Sequence, residues 1–258
     1  MGILGKWITN KTARPFYARR IVLINKSVSH AEAKICGLGQ FHFYINGRKV
    51  EDHELDPGWT DYNKLIEYVT FDVTTYLNEG RNVIGVEVGN GWFNKMDEHY
   101  TFKFPEFMPP NPNPYKPFGD ALVLALELTI SYTDGTVDVI TADEDFLVKE
   151  HPVVMSNVYG SETIDGRKNQ DGWCTKEFDA AGWEKASVVA EADEPKGEMI
   201  DQLQPPVKVI QTYPGKYLHL QRVQAAAGRP GLSRPLPLRP VCEGLRAVPK
   251  LIKIGRYP

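Results

Sequence analysis

The dipeptide Asn46-Gly47 separates two short segments of strand-like sequence, residues 41–45 (FHFYI) and 48–50 (RKV). Asn-Gly between two such segments favours a type I′ turn, which requires positive φ at both central residues and joins antiparallel strands. A β-hairpin is therefore predicted at residues 41–50.

Strand-like patterns recur along the first 190 residues, with turn residues between them. The segments with short apolar runs or alternation are 20–25, 33–38, 68–73, 82–88, 121–132 and 136–140. No long amphipathic helical pattern occurs beside them, so alternating βαβ units are not expected. The sequence predicts an all-β fold, an antiparallel β-sandwich with long loops.

Changes in composition suggest where domains begin and end. We predict an N-terminal arm at 1–19, the sandwich at 20–189, an acidic, proline-containing linker at 190–206 and the start of a second β domain at 207–219. Long loops are expected at 52–61, 91–118 and 158–183. The loop at 91–118 contains many aromatic residues, which argues against plain disorder.

Residues 220–258 differ from the rest of the chain in charge and composition. They contain six Arg, two Lys, one Glu and six of the 19 Pro, which gives this segment a charge of +7 against −10 for residues 1–219. Little apolar surface is available to offset the conformational entropy lost on folding. A disordered tail is therefore predicted, apart from a short apolar stretch near residues 251–254. Two hypotheses remain: a basic arm for nucleic acid or membrane, or an aberrant tail read out of frame, which we favour.

Overall composition excludes several classes of protein. No run of 18 apolar residues is present, and the N-terminus lacks the pattern of a signal peptide, so we expect a cytoplasmic protein. The net charge of −3 suggests no nucleic-acid or membrane partner. Three widely spaced cysteines argue against a disulfide framework and a zinc site.

Several ordered motifs resemble the N-terminal region of bacterial α-L-rhamnosidases of glycoside hydrolase family 78. They lie at residues 37–50, 55–62, 70–74, 82–93, 162–167 and 178–183. The resemblance covers residues 5 to 219 and implies a jelly-roll or galactose-binding-like sandwich. In that family the catalytic carboxylates lie in a later helical barrel, so the resemblance implies a missing downstream catalytic domain as partner.

The resemblance also suggests binding residues. Rhamnose-binding modules of carbohydrate-binding family 67 use an Asn and an Asp-Asn pair around a calcium ion, which correspond here to Asn46 and Gly89-Asn90. Gly89 replaces the acid, so no metal ligand is assigned, although calcium is retained as a candidate cofactor. Asn46, Asn90 and Trp92 are the candidate carbohydrate-binding residues for a rhamnose-containing glycoside. The alternative for both asparagines is turn chemistry alone, since each precedes a glycine.

No catalytic residue is assigned. Glycoside hydrolysis needs two carboxyl groups of different protonation, and the sequence offers only locally clustered acids, at 97–98, 143–145 and 162–165, which are typical of turns. Trp59, Trp173 and Trp183 are predicted to pack under loops. Three functions remain open: a rhamnose-binding module, a structural sandwich that positions a catalytic barrel, and an active hydrolase fragment.

Overall fold

The computed structural model describes residues 2–12, 14–94, 118–156, 162–214 and 250–255. Helical segments in these ranges are three-residue 3₁₀ turns, at Thr74–Tyr76, Gly166–Lys168 and Glu191–Asp193, and none of them could cross a membrane. The strands of the described residues are, in chain order, β1 Ile8–Thr9, β2 Phe16–Ile24, β3 Val28–Leu38, β4 Gln40–Ile45, β5 Arg48–Lys49, β6 His53–Glu54, β7 Leu65–Asp72, β8 Gly80–Gly89, β9 Val123–Tyr132, β10 Val137–Thr141, β11 Leu147–Glu150, β12 Val153–Ser156, β13 Glu162–Ile164, β14 Glu184–Lys185, β15 Ser187–Val188, β16 Glu198–Asp201, β17 Val207–Pro214 and β18 Lys250–Gly255.

Two sheets form the body of the unit that holds the described residues up to 208. The first sheet has the order β15-β1-β9-β3-β7-β16, and β10 also pairs with β9. The second has the order β14-β11-β2-β8-β4-β5. All pairings within these two sheets are antiparallel except that of β16 with β7. The predicted all-β fold, an antiparallel sandwich, is confirmed.

The alternation in β4 explains how the second sheet covers the first. Phe41, Phe43 and Ile45 are buried, whereas His42 and Tyr44 lie half-buried on the opposite face. The buried side chains pack in one core with residues of β3, β7 and β9 from the facing sheet. Since successive side chains of a strand point to opposite faces, the polar residues of β4 line the outer face of the second sheet.

A loop that contains Trp173 covers part of that outer face. Trp173 and Trp183 are buried with Tyr17, Val83 and Cys174 in a separate cluster, as predicted for the two tryptophans. Gly85 on β8 makes room for this layer, because a Cβ atom there would lie 2.7 Å from the Trp173 ring. Beyond the cluster, Ile21 and Leu23 of β2 are exposed. The outer face of the second sheet is therefore covered only in part.

Two segments differ from their predicted roles in the domain organisation. The segment expected to be a linker, 190–206, contains β16, which pairs in parallel with β7. The segment expected to be an arm, 1–19, contributes β1 to the first sheet and the beginning of β2 to the second. These backbone segments satisfy their hydrogen bonds in the sheets, which short, weakly patterned sequences do not reveal.

Residues 209–214 and 250–255 belong to a second unit, in which β17 and β18 are neighbouring strands. The strand β18 coincides with the short apolar stretch that interrupts the predicted disordered tail. The remainder of the predicted tail at 220–258 lies outside the described residues, as does nearly all of the predicted aromatic loop at 91–118.

Candidate functional site

Asn46 occupies the predicted hairpin turn, where its side chain is used by the fold. Asn46 and Gly47 have φ values of 52° and 79°, which confirms the predicted turn geometry. The Asn46 amide donates to Tyr76 O at 3.1 Å and to Asn82 Oδ1 at 2.9 Å, and its Oδ1 accepts from Val83 N at 2.9 Å. These bonds engage both ends of the amide and fix the start of β8.

Asn90 and Trp92 lie at the other end of β8. Gln40 pairs with Gly89 and Ile45 with Ile84, so the Asn46 turn and Asn90 are separated by the length of the strand pair, roughly 20 Å. The structure therefore does not bring the three candidate residues together. The side chain of Asn46 serves the turn, which is the alternative that the sequence left open. The expectation that Asn46 and Asn90 share one site is wrong. This placement does not fit a calcium ion held jointly by Asn46 and Asn90.

Trp92 instead forms an aromatic platform with Trp59. The two ring centroids are 5.0 Å apart with an interplanar angle of 26°, and 61% of Trp59 is exposed. The prediction that Trp59 packs under a loop is therefore wrong. The platform opens on a cleft of about 510 Å³, named here the aromatic cleft, which is lined by Gln40, Leu55, Pro57, Gly58, Trp59, Tyr62, Trp92, Gln204, Pro205 and Val207.

A second cleft of about 200 Å³, the polar cleft, adjoins the first. The polar cleft is lined by Pro15, Gln40, Phe41, His42, Leu55, Glu87, Val88, Gly89, Asn90, His151, Val153, Ser156 and Glu162. Gln40 and Leu55 line both clefts. Asn90 and Trp92, two residues apart in the sequence, thus line neighbouring parts of one surface.

The polar cleft contains a network centred on Glu87 and His42, which are cross-strand partners on β8 and β4. His42 Nε2 lies 2.7 Å from Glu54 Oε2, and His42 Nδ1 lies 3.5 Å from Glu87 Oε2. The Tyr44 hydroxyl donates to Glu87 Oε2 at 3.0 Å. Lys49 donates to Glu54 Oε1 at 2.6 Å. The imidazole of His42 therefore bridges two carboxylates.

His151 faces the other oxygen of the same carboxylate. Val153 N donates to His151 Nδ1 at 3.1 Å, which leaves Nε2 facing Glu87 Oε1 at 3.8 Å. The ring of His151 also packs on Tyr17, with centroids 4.5 Å apart. Glu87 is thereby surrounded by two imidazoles and a hydroxyl.

The charges of this network follow from those contacts. Burial would by itself raise the pKa of Glu87, but the contacts of His151, His42 and Tyr44 outweigh it and lower the pKa to about 2. Burial would lower the pKa of His42, whereas Glu87 and Glu54 raise it, and the net shift is upward. The pKa of Glu54 is lowered, since Lys49 and His42 outweigh its burial.

These pKa shifts decide what the polar cleft can do. Hydrolysis of a glycoside requires one carboxyl group that is still protonated at working pH and can act as the acid. Glu54 and Glu87 are both held ionised, so this pair is unsuited to that role. The network can instead present fixed hydrogen-bonding groups to the hydroxyls of a bound ligand.

The other acidic clusters considered from the sequence serve the structure. Asp143 and Asp145 hold Arg20, at 2.8 and 3.2 Å. Asp165 pairs with Arg167 at 2.7 Å and accepts from its backbone N–H, as the turn pattern predicted. The cluster at 97–98 lies outside the described residues.

Glu67 is a buried carboxyl with a raised pKa, from which a specific pH dependence follows. Only 1% of Glu67 is exposed, its Oε2 has no hydrogen-bond partner, and burial raises its pKa. A carboxyl group whose pKa is higher in the folded state than in the unfolded state stabilises the fold at low pH. This stabilisation is lost as pH rises. We expect Glu67→Gln to gain stability relative to wild type between pH 4 and pH 8 in urea unfolding. A constant difference across this range would contradict the assignment.

Comparison with known proteins places this geometry in a family. The family model for the α-L-rhamnosidase N-terminal domain matches residues 26–211. The chain belongs to this family. Curated relatives include α-L-rhamnosidases of Formosa agariphila, 34% identical over 197 residues, and of Streptomyces avermitilis, 32% identical over 194 residues. These alignments cover 76% and 75% of this chain, and 20% and 17% of the relatives.

Solved structures agree with the assignment to the α-L-rhamnosidase N-terminal domain family. An α-L-rhamnosidase from Aspergillus terreus superposes with a TM-score of 0.69 at 28% identity, over 82% of this chain and 24% of that one. The Streptomyces avermitilis α-L-rhamnosidase complexed with L-rhamnose gives 0.66 at 28% identity, over 80% of this chain and 19% of that one. The chain thus spans about a fifth of the length of these enzymes and corresponds to their N-terminal, non-catalytic portion.

The sequence contains one signal for the polar network. None of its six histidines has a second histidine or a cysteine at metal-ligand spacing, so histidine spacing gives no indication of this network. The strand alternation, however, places His42 and Tyr44 on the outer face of β4, and Glu87 pairs with His42 across the sheet. His151 and Glu54 arrive from distant or irregular segments, for which local sequence carries no signal.

Proposed function

We propose that this α-L-rhamnosidase N-terminal domain binds terminal L-rhamnose of glycosides in the aromatic cleft, without cleaving them. The exposed Trp59 ring stacked on Trp92 is the observation that carries the proposal. A deoxyhexose presents a methyl group and an apolar C–H face, which suit an aromatic surface, while nearby amides can bind its hydroxyls. Gln40 and Gln204 provide such amides at the aromatic cleft.

Calorimetric titration of L-rhamnose into wild type and Trp59→Ala tests the proposal. We expect saturable binding to wild type, weakened about tenfold by Trp59→Ala, because an aromatic contact contributes about 0.5–1.5 kcal/mol beyond its buried area. Leu23→Ala is the matched control, since Leu23 is 59% exposed on β2 outside both clefts. Absence of saturable binding, or equal affinity of the two variants, would overturn the proposal.

A structural role is the second candidate. The exposed Trp59 and the 74% exposed Leu203 could pack against another domain of a longer enzyme, because large exposed apolar groups often mark interfaces. The hydrolysis of rhamnosides would then belong to the catalytic domain that this chain does not span. Failure of rhamnose to bind in the titration above would favour this candidate.

A further inference from the structure

A third cleft, named here the lysine cleft, is separate from the aromatic and polar clefts. Its volume is about 440 Å³, within the range of about 300–1,000 Å³ that is usual for ligand sites. The lining residues come from four segments, 10–12, 148–150, 168–170 and 182–184, and none of them lines either of the other clefts. None of the described residues that line it is aromatic. A ligand of this cleft would therefore be held by polar and charged groups.

Two lysines bring positive charge to the lysine cleft. Lys168 Nζ lies 2.6 Å from Glu150 Oε2, and Arg14 also approaches this carboxylate, at 4.0 Å. Lys149 Nζ donates to a backbone carbonyl at 2.8 Å, and no carboxylate of the described residues forms an ion pair with it. With Glu184 included, three cations stand against two carboxylates at this cleft. A ligand with one negative charge would balance them.

Some groups in the same lining have hydrogen-bonding capacity that the fold does not use. Asn10 Oδ1 accepts from Thr12 N at 3.1 Å, which fixes the orientation of the amide, while its buried Nδ2 has no partner among the described residues. Gln170 donates through Nε2 to two backbone carbonyls, at 3.1 and 3.3 Å. In the part of the chain that the structure describes, nothing donates to Gln170 Oε1 or to the carboxylate of Glu184. Such oxygens are acceptors for hydroxyl groups.

From these groups we infer that the lysine cleft binds a sugar acid, a carboxylate carried on a framework of hydroxyl groups. The carboxylate would lie at Lys149 and Lys168, and the hydroxyls at Gln170 and Glu184. A neutral sugar leaves the ammonium group of Lys149 without a counter-charge, and a simple carboxylate leaves the two acceptors unused. The inference is independent of the rhamnose binding proposed for the aromatic cleft, because the two clefts share no lining residue.

Calorimetric titration of the whole chain with three probes at pH 7 tests the inference. The probes are D-glucuronate, D-glucose as its neutral counterpart, and acetate as a carboxylate without hydroxyls. We expect saturable binding of D-glucuronate, and binding of D-glucose and of acetate that is weaker by at least about tenfold, equivalent to about 1.4 kcal/mol. Added salt should weaken the binding of D-glucuronate, since salt screens the attraction between charges.

Two substitutions assign the binding to the lysine cleft. Lys149→Met removes the unpaired cation, and Asn10→Asp keeps the acceptor for Thr12 N while it adds a negative charge beside the lysines. Each should weaken the binding of D-glucuronate by about tenfold or more. Lys26→Met is the matched control, because Lys26 pairs with Asp134 and lines none of the three clefts. Its affinity for D-glucuronate should equal that of wild type, and urea unfolding verifies that each variant is folded.

Several results would overturn the inference. These are an absence of saturable D-glucuronate binding to wild type, an equal affinity for D-glucose or acetate, and an unchanged affinity in either Lys149→Met or Asn10→Asp. Loss of D-glucuronate binding in Trp59→Ala would place this ligand in the aromatic cleft and would also overturn it. Failure of L-rhamnose to bind, by contrast, bears on the proposed function alone.

Discussion

Replacing Gly39 by alanine is expected to lower the free energy of unfolding by about 1–3 kcal/mol, the usual cost of overpacking, and to disrupt the aromatic cleft proposed to bind rhamnose. A Cβ atom at Gly39 would lie 2.1 Å from Gly91 N and 2.7 Å from Gly91 Cα. Both are backbone atoms, which cannot rotate away as a side chain can. The segment 90–92 would have to move, and it carries Asn90 and Trp92 into the two clefts.

Gly89→Ala is the matched control for this substitution. Its Cβ atom would approach no atom closer than Gln40 O at 3.9 Å, so the same chemical change two residues from Gly91 should leave stability within about 0.5 kcal/mol. Urea unfolding measures both variants, and titration with L-rhamnose measures the site. Equal stability of the Gly39 and Gly89 variants would show that the close approach of the two backbones is not needed.

The hairpin shows how much of this fold can be predicted from local sequence. Asn46-Gly47 encodes its own turn, since both residues tolerate positive φ, and alternation in β4 assigns each side chain to a face. Turn chemistry and side-chain period are local properties. The sheet class and most of the long strands follow from them.

The candidate site depends on contacts that local patterns do not encode. Asn46 and Asn90 flank the two ends of an antiparallel pair, so their similar Asn-Gly contexts gave no indication of a separation of roughly 20 Å. Trp59 lies in a turn-rich loop and stacks on Trp92, 33 positions later. The parallel pairing of β16 with β7 likewise joins segments more than 130 residues apart. Predicting these contacts requires the tertiary structure.

Glu87→Gln is expected to destabilise the protein by about 3 kcal/mol at pH 6 and by about 1 kcal/mol at pH 3. The pKa of Glu87 is lowered from its ordinary value of 4.5 to about 2, which corresponds to about 3 kcal/mol of preference for the charged form in the folded state. A carboxyl with a lowered pKa stabilises the fold above its unfolded pKa, and this contribution is lost as pH falls from about 5 towards 2. Below that window Glu87 is protonated in the wild type, so wild type and Glu87→Gln both carry a neutral group at this position.

The raised pKa of His42 acts in the opposite direction, because its contribution is present at low pH and is lost as pH rises through the folded value. The two groups face each other, with Glu54, Lys49, Tyr44 and His151 around them, so their joint contribution is greatest between about pH 5 and 6. Urea unfolding at pH 3 and pH 6 measures the difference, and Glu177→Gln, at an exposed carboxylate, is the control. If Glu87→Gln differed from wild type by the same amount at both pH values, the ionised state of Glu87 could not be what holds β4, β6 and β8 together around the polar cleft.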